Sequence, residues 1–381
     1  MTHVAVRARN VGAAISAAAL LLFCSAPHAI EAPKQQQEAA PAQAPAPAEV
    51  KPTDETQFYE LLQRVSSSRT MRGLGVPQDT IVALGRGQVE TAVATLGALA
   101  NQGNREANIA LVRVQHFCGR VTSSRPPDPQ KQISTLSAEL APERAARAAG
   151  VIRAESEWMA RARAACAKAP FDYQGIEARL REAAAAGHPA SATELAQYTR
   201  DPAKRKALLQ SAVDKKYAPA LYAVATDLLV AVQRGETTEN VSQIRELLKQ
   251  AGRSVTKAKL DLANCMALGC DGHPADALTA QAFGVDAARD GEPTAFIAMV
   301  RMPWGGNMTR TQLLAWQYFG DRLNEAGCMG DTYVGSSIGF AQMIELLEKG
   351  QPPQMLEEAR TRAEDLWRDN SNRAKKETNC S

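Results

Sequence analysis

The feature that most constrains this chain is a small residue placed four positions after a turn, in a frame that recurs at nearly constant spacing. In "ARDGEPTAFIAM", Gly291 is followed by Pro293 and Ala295, with Ala287 and Ala288 before it and Met299 after it. The same frame set on Gly103 finds Leu99, Ala100, Ala107 and Leu111, and on Gly187 it finds Ala183, Ala184, Ser191 and Leu195. Lys216 supplies Ala212, Val213, Ala220 and Val224, while Ser254 supplies Gln250, Ala251, Ala258 and Leu262. Successive origins from Lys216 through Ser254 and Gly291 to Gly327 lie 38, 37 and 36 residues apart. The interval from Gly187 to Lys216 is a shortened 29, and the 84 residues from Gly103 to Gly187 leave room for two units around "GRVTSSRPPDPQKQ". Fixed-period self-similarity marks a repeat architecture.

Each unit reads as two helices. Apolar or small residues before the turn form one helical stripe, and those four and eight positions after it form another. Glycine at four of the six origins suits a tight turn. The small residues on either side lack bulk, so the two helices can approach closely. No single pair buries both stripes, so neighbours stack: the expected fold is all-α, an α-solenoid of helix pairs with a concave surface of first helices. With aromatics at 5% and few period-two β-branched runs, the composition agrees. The frame on Gly327 supplies Asp331 and Gly335, so the last unit departs from the pattern. The segment 351–381, with Leu356, Ala359, Ala363 and Leu366 at helical spacing, is expected to be a charged capping helix and tail.

The stretches "LANQGNREANIALV", "AAAAGHPASATELA", "AARDGEPTAFIAMV" and "MVRMPWGGNMTRTQLLAWQYFGDRLNEAG" resemble Sel1-like repeats, relatives of the tetratricopeptide repeat, over about Gly87 to Gly327. Ala315 and Trp316 stand where that family has its A-x-x-W helix, which makes Trp316 a packing residue by resemblance. The resemblance implies a scaffold that binds a protein or peptide partner and performs no catalysis. Missing glycines at Lys216 and Ser254 and the insertion near Pro126 depart from the family pattern.

The array is expected over 53–350, with an irregular insertion near 120–140. Ahead of it, residues 1–29 carry Arg7 and Arg9, an apolar run to Phe23 and then small residues, the layout of a secretory signal peptide. Phe23 is too large to precede a lipid-bearing Cys24. Residues 30–52 are rich in Pro, Ala and Gln and have little to bury, which describes a tether. The reading is an exported bacterial protein, periplasmic or secreted, with no membrane insertion after cleavage. Without residues 1–29 the balance is 42 basic against 41 acidic residues, a net +1, so charge makes no case for nucleic acid or an anionic membrane surface.

Six cysteines remain after Cys24, and an even number in an exported chain reads as disulfides. Fifteen pairings are open. Pairing of sequence neighbours gives Cys118 with Cys166, Cys265 with Cys270 and Cys328 with Cys380. No CxxC is present, so zinc is not expected, and no cofactor is expected either.

Chemistry is weakly signalled. "GSSIG" at 335–339 matches a hydrolase elbow, but no histidine follows His273, and a glycine-softened helix explains it better. "SVTK" matches the S-x-x-K of penicillin-interacting enzymes, which makes Ser254 and Lys257 the alternative site, on cell-wall or β-lactam ligands. The companions S-D-N and K-T-G are absent, and Ser254 reads more simply as a helix cap. For a partner, Trp304 in the loop of "RMPWGGN", with Arg301, is the candidate anchor, since Trp and Arg dominate binding hot spots. The competing reading has Trp304 covering the edge of the core.

Overall fold

The turns found from spacing are places where the backbone adopts the left-handed conformation. Gly103, Gly187, Gly291 and Gly327 have φ of 88°, 80°, 78° and 82°, and Lys216, at 54°, is the one non-glycine among the described residues with positive φ. At each, the next N–H donates to the carbonyl five residues back: Asn104 to Leu99, His188 to Ala183, Tyr217 to Ala212, Glu292 to Ala287, Cys328 to Leu323. This is a Schellman cap, which satisfies a terminal carbonyl and reverses the chain. Ser254 is different. The turn there runs through Gly252 in ordinary helical backbone, and the next helix starts at Thr256 with Val255 at its N-cap, so the Ser254 side chain caps nothing.

The computed structural model describes residues 74–123, 128–236, 241–270, 272–329, 333–378 and 380. These all fall in one unit, Val50–Ser381. The expected signal peptide, the tether and the start of the array near Thr53 lie outside the described residues, as does Asp331.

Among the described residues the structure is helical and contains no strand. The helices are α1 (Gln78–Gly85), α2 (Val89–Asn101), α3 (Arg105–Ser123), α4 (Pro129–Glu139), α5 (Pro142–Cys166), α6 (Tyr173–Ala185), α7 (Pro189–Tyr198) and α8 (Pro202–Val213). They continue as α9 (Ala218–Gln233), α10 (Gln243–Ala251), α11 (Thr256–Leu268), α12 (Ala277–Arg289), α13 (Pro293–Arg301), α14 (Arg310–Glu325), α15 (Tyr333–Glu348) and α16 (Pro353–Thr378). Proline opens α4, α5, α7, α8 and α13, where its missing N–H costs no hydrogen bond. Asp128, Asp172, Asp201, Asp276 and Thr309 cap the helices that follow them.

The turn residues join α2–α3, α6–α7, α8–α9, α12–α13 and α14–α15, and α10–α11 pair through the Gly252 turn. These stacked pairs form an all-α solenoid. The small residues four positions after the origin, Ala107, Ser191, Ala220, Ala258 and Ala295, are all buried. Close approach of the paired helices is what that position buys. A large core runs from α9 to α16 around Phe296, Trp304, Phe319 and Phe340, and a second lies in α1–α3 and α6 around Leu96, Ile109, Ile176 and Leu180.

Two elements leave the simple stack. The stretch near 120–140, expected to be irregular, is helix on both sides of the undescribed residues 124–127, and it enters an extra antiparallel pair, α4–α5. The last helix, α16, packs on α14 and reaches α12. Its Arg373 donates to Asp290 and Asp286, both at 2.6 Å, beside Lys259 at 2.5 and 2.7 Å from the same carboxylates. Trp367 packs edge-on against Phe319, under the Arg322 guanidinium at 4.2 Å. The structure joins Cys118 to Cys166, Cys265 to Cys270 and Cys328 to Cys380, with Cα atoms 5.1, 5.0 and 5.1 Å apart.

Candidate interaction surface

Trp304 cannot anchor a partner from the surface, because its side chain is wholly buried. A short 3₁₀ turn, Pro303–Gly305, folds the ring back between α11 and α12. Its indole N–H donates to Asn264 Oδ1 at 3.0 Å. Its six-membered ring fills a notch at Gly284, where an added Cβ would come within 2.6 Å of it. The sequence showed a tryptophan in a loop; the glycine that receives it lies twenty residues earlier on another helix. Arg301 is exposed at the end of α13, without the aromatic beside it that the expectation supposed. Trp316 is buried against Phe296 and Phe319.

The S-x-x-K reading loses its geometry too. Lys257 Nζ donates to Asp261 Oδ1 at 2.9 Å, one turn along the same helix, and Ser254 lies exposed in the preceding turn. The "GSSIG" segment sits inside α15, with no strand before it among the described residues, and Ser337 Oγ accepts from Asn324 at 2.6 Å. Among the described residues no three His, Cys, Asp or Glu side chains are grouped to hold a metal ion.

What the stack does bring together is a repeated polar arrangement on helices that follow the turns. Glu194 and Asp261 each lie seven residues after their origins, Gly187 and Ser254. Each carboxylate accepts from a tyrosine hydroxyl and from a cation. Glu194 takes Tyr198 at 3.0 Å on Oε1, and Arg113 of α3 at 3.0 and 3.1 Å on Oε2. Asp261 takes Tyr222 of α9 at 2.7 Å on Oδ2 and Lys257 on Oδ1. Thr256 and Thr294 extend the row by donating to Glu292 at 3.3 and 2.8 Å. The bonds from Arg113, Tyr222 and Thr256 cross from one unit to the next, while those from Tyr198, Lys257 and Thr294 stay within their own unit.

Glu194 is sunk while its partners reach outward. The Glu194 side chain is 3% exposed and that of Arg113 29%. Burial of an ionised carboxylate is tolerable because a bidentate guanidinium and a hydroxyl satisfy it. Tyr198, 37% exposed, stacks face to face on His116 with ring centroids 3.6 Å apart and planes 5° off parallel. Burial raises the Tyr198 hydroxyl above its ordinary range, and the charge of Glu194 adds to that; Tyr222 is raised likewise by burial and by Asp261. Burial lowers His116, with Glu194 opposing it. At neutral pH the surface therefore presents neutral rings and hydroxyls over fixed ion pairs. Sequence reading passed over Arg113, His116, Glu194, Tyr198, Tyr222 and Asp261, though the shared offset of the two carboxylates was visible in the repeat frame.

No helix among the described residues is long and apolar enough to cross a membrane. No protein-family model and no curated protein matches the chain. A solved structure of c5321, a protective antigen of uropathogenic Escherichia coli strains displaying an SLR fold, aligns with 84% of this chain and 85% of its own, at 14% identity and a TM-score of 0.33.

Proposed function

We propose that this chain is an exported, non-catalytic scaffold of the Sel1-like type, which binds a protein or peptide partner in the cell envelope. The observation that carries the reading is the polar row across successive units, in which partly exposed aromatic and cationic side chains are held in place by buried and part-buried carboxylates. Rigid rings with polar tips give contact area at small entropic cost, the composition that favours protein recognition. Stacked helix pairs supply an extended surface for it. The paired cysteines fit an oxidising compartment, and the arginine-led apolar start of the sequence fits export.

The test is crosslinking in cells followed by affinity capture and mass spectrometry, with Tyr198→Ala as the comparison. One dominant envelope protein, at least about tenfold weaker with the variant, is the expected result, since loss of a hot-spot aromatic costs about 2 kcal/mol or more. Equal capture by the variant would move the binding face elsewhere. Covalent labelling by a fluorescent penicillin, abolished in Ser254→Ala, would replace the scaffold reading with an enzyme.

A further inference from the structure

The α4–α5 hairpin touches the array in two places far apart in sequence, and the two contacts are chemically unlike. Helix α5 has 25 residues, about 37 Å of length at 1.5 Å per residue. Its C-terminal end is fastened to the first units. Cys166 is bonded to Cys118 of α3, Trp158 Nε1 donates to the Gly85 carbonyl at 3.1 Å, and Arg163 Nε donates to the Val121 carbonyl at 3.0 Å. Trp158 also packs on Phe117, with centroids 5.7 Å apart.

Its N-terminal end meets the last unit, about 200 residues later. Arg144 pairs with Glu345 at 2.6 Å and with Glu348, and Arg147 pairs with Asp321 at 3.1 Å and Glu325 at 2.9 Å. The Ala141 N–H donates to Glu345 at 3.2 Å, and Gln342 donates to Glu139 at 3.0 Å. The apolar part of this contact is small: Ile338 and Ala341 of α15 against Leu136, Leu140, Ala145, Ala148 and Ile152. The side chains in the ion pairs are 19–53% exposed. Pairs so exposed are weak singly and screened by salt.

We propose that α4–α5 is a strap, hinged on a covalent anchor at the first units and latched by ions at the last. When the latch opens, the hairpin stays attached through Cys118–Cys166, and the face of α15 carrying Ile338 and Ala341 is uncovered. The asymmetry determines which end moves: a disulfide and a buried tryptophan hold one end, and two arginines facing four carboxylates hold the other. This inference does not depend on which partner the scaffold takes.

Spin labels at Ser137→Cys and Leu346→Cys on the full exported chain, with its native disulfides intact, report the latch by electron–electron distance. Labels at Ser123→Cys and Arg161→Cys report the anchor. At low salt the latch pair should give one narrow distance. In 1 M salt, where the screening length falls to about 3 Å, or in Arg144→Glu/Arg147→Glu, it should become long and broad while the anchor pair stays unchanged. Adding Glu345→Arg and Glu348→Arg to Arg144→Glu should restore the narrow distance. An unmoved latch pair under both treatments would overturn the proposal. So would an anchor pair that broadens together with the latch, because the hairpin would then have no separable end.

Discussion

The α6–α13 stack and the α4–α5 hairpin are built from similar alanine-rich helices, yet they are held by different means. In the stack, most contacts join each helix to its near neighbours in the chain, and a small residue, Ser or Ala, is buried after each turn. The hairpin depends on partners about 200 residues away, through Glu139, Arg144 and Arg147. Local regularity makes the stack redundant, since each interface repeats its neighbour's chemistry. The hairpin has no such copy.

Substitutions can break this contrast, and the largest effect should come from within the stack. Trp304→Ala removes a fully buried ring from the Gly284 notch and leaves Asn264 without its donor. A loss of about 3–5 kcal/mol in urea unfolding is expected. A loss below about 1 kcal/mol would mean that the notch closes without the indole.

Next come the cross-links. The Cys118–Cys166 bond spans 48 residues and Cys265–Cys270 only 5. Loop-closure entropy assigns about 4 kcal/mol to the first and about 2 to the second. Removing each pair by Cys→Ala and comparing melting curves tests that order. A larger effect at Cys265–Cys270 would show that the hairpin anchor does not rely on its disulfide.

The turn residues give smaller effects of opposite sign. Lys216 occupies left-handed backbone at a cost of about 1 kcal/mol, so Lys216→Gly should stabilise by about that amount. Gly291→Ala should destabilise by about 1–2 kcal/mol, the more so because its Cβ would meet Thr378 of α16 at 2.7 Å. Equal shifts of the same sign in chemical denaturation would mean that the repeat does not need the left-handed turn.

The smallest effect is electrostatic. Burial works to raise Asp286, but Lys259 and Arg373 outweigh it and hold the carboxyl below its ordinary value. A depressed carboxyl stabilises fully above the unfolded value near 4, and that contribution fades as pH falls through the lower folded value. With the side chain a third exposed, solvent screening holds it to less than about 1 kcal/mol. Asp321, at the strap, runs the other way: burial raises it despite Arg147, so its ionisation costs stability that mild acid restores. Urea midpoints from pH 3 to 7 for Asp286→Asn and Asp321→Asn, against the parent chain, should therefore depart in opposite directions.

What could be read from the sequence follows the same division. The origins, the buried residues four positions on and the helix pairs repeat within the chain, so spacing alone revealed them. Ser254 misled as an origin because a helical turn through Gly252 reverses the chain there without left-handed backbone. Trp304 misled because its burial depends on Gly284 and Asn264, and neither is marked by the loop it sits in. The hairpin's reach to α15 leaves no periodic trace, since a pair of arginines in a helix looks the same whether it faces water or Glu345.

The strap also bears on the order in which the chain can assemble. Bringing residue 144 to residue 345 from a random coil costs roughly 5 kcal/mol in chain entropy by the logarithmic closure law, against two arginines and a small apolar patch. The helix pairs between them form from neighbours and are intrinsically fast, and their formation shortens the gap before the hairpin docks. During synthesis the hairpin emerges long before its dock exists. Its apolar face, Leu136, Leu140 and Ala145, must then wait in water until the last unit arrives. For that interval the hairpin is open to a chaperone or a protease.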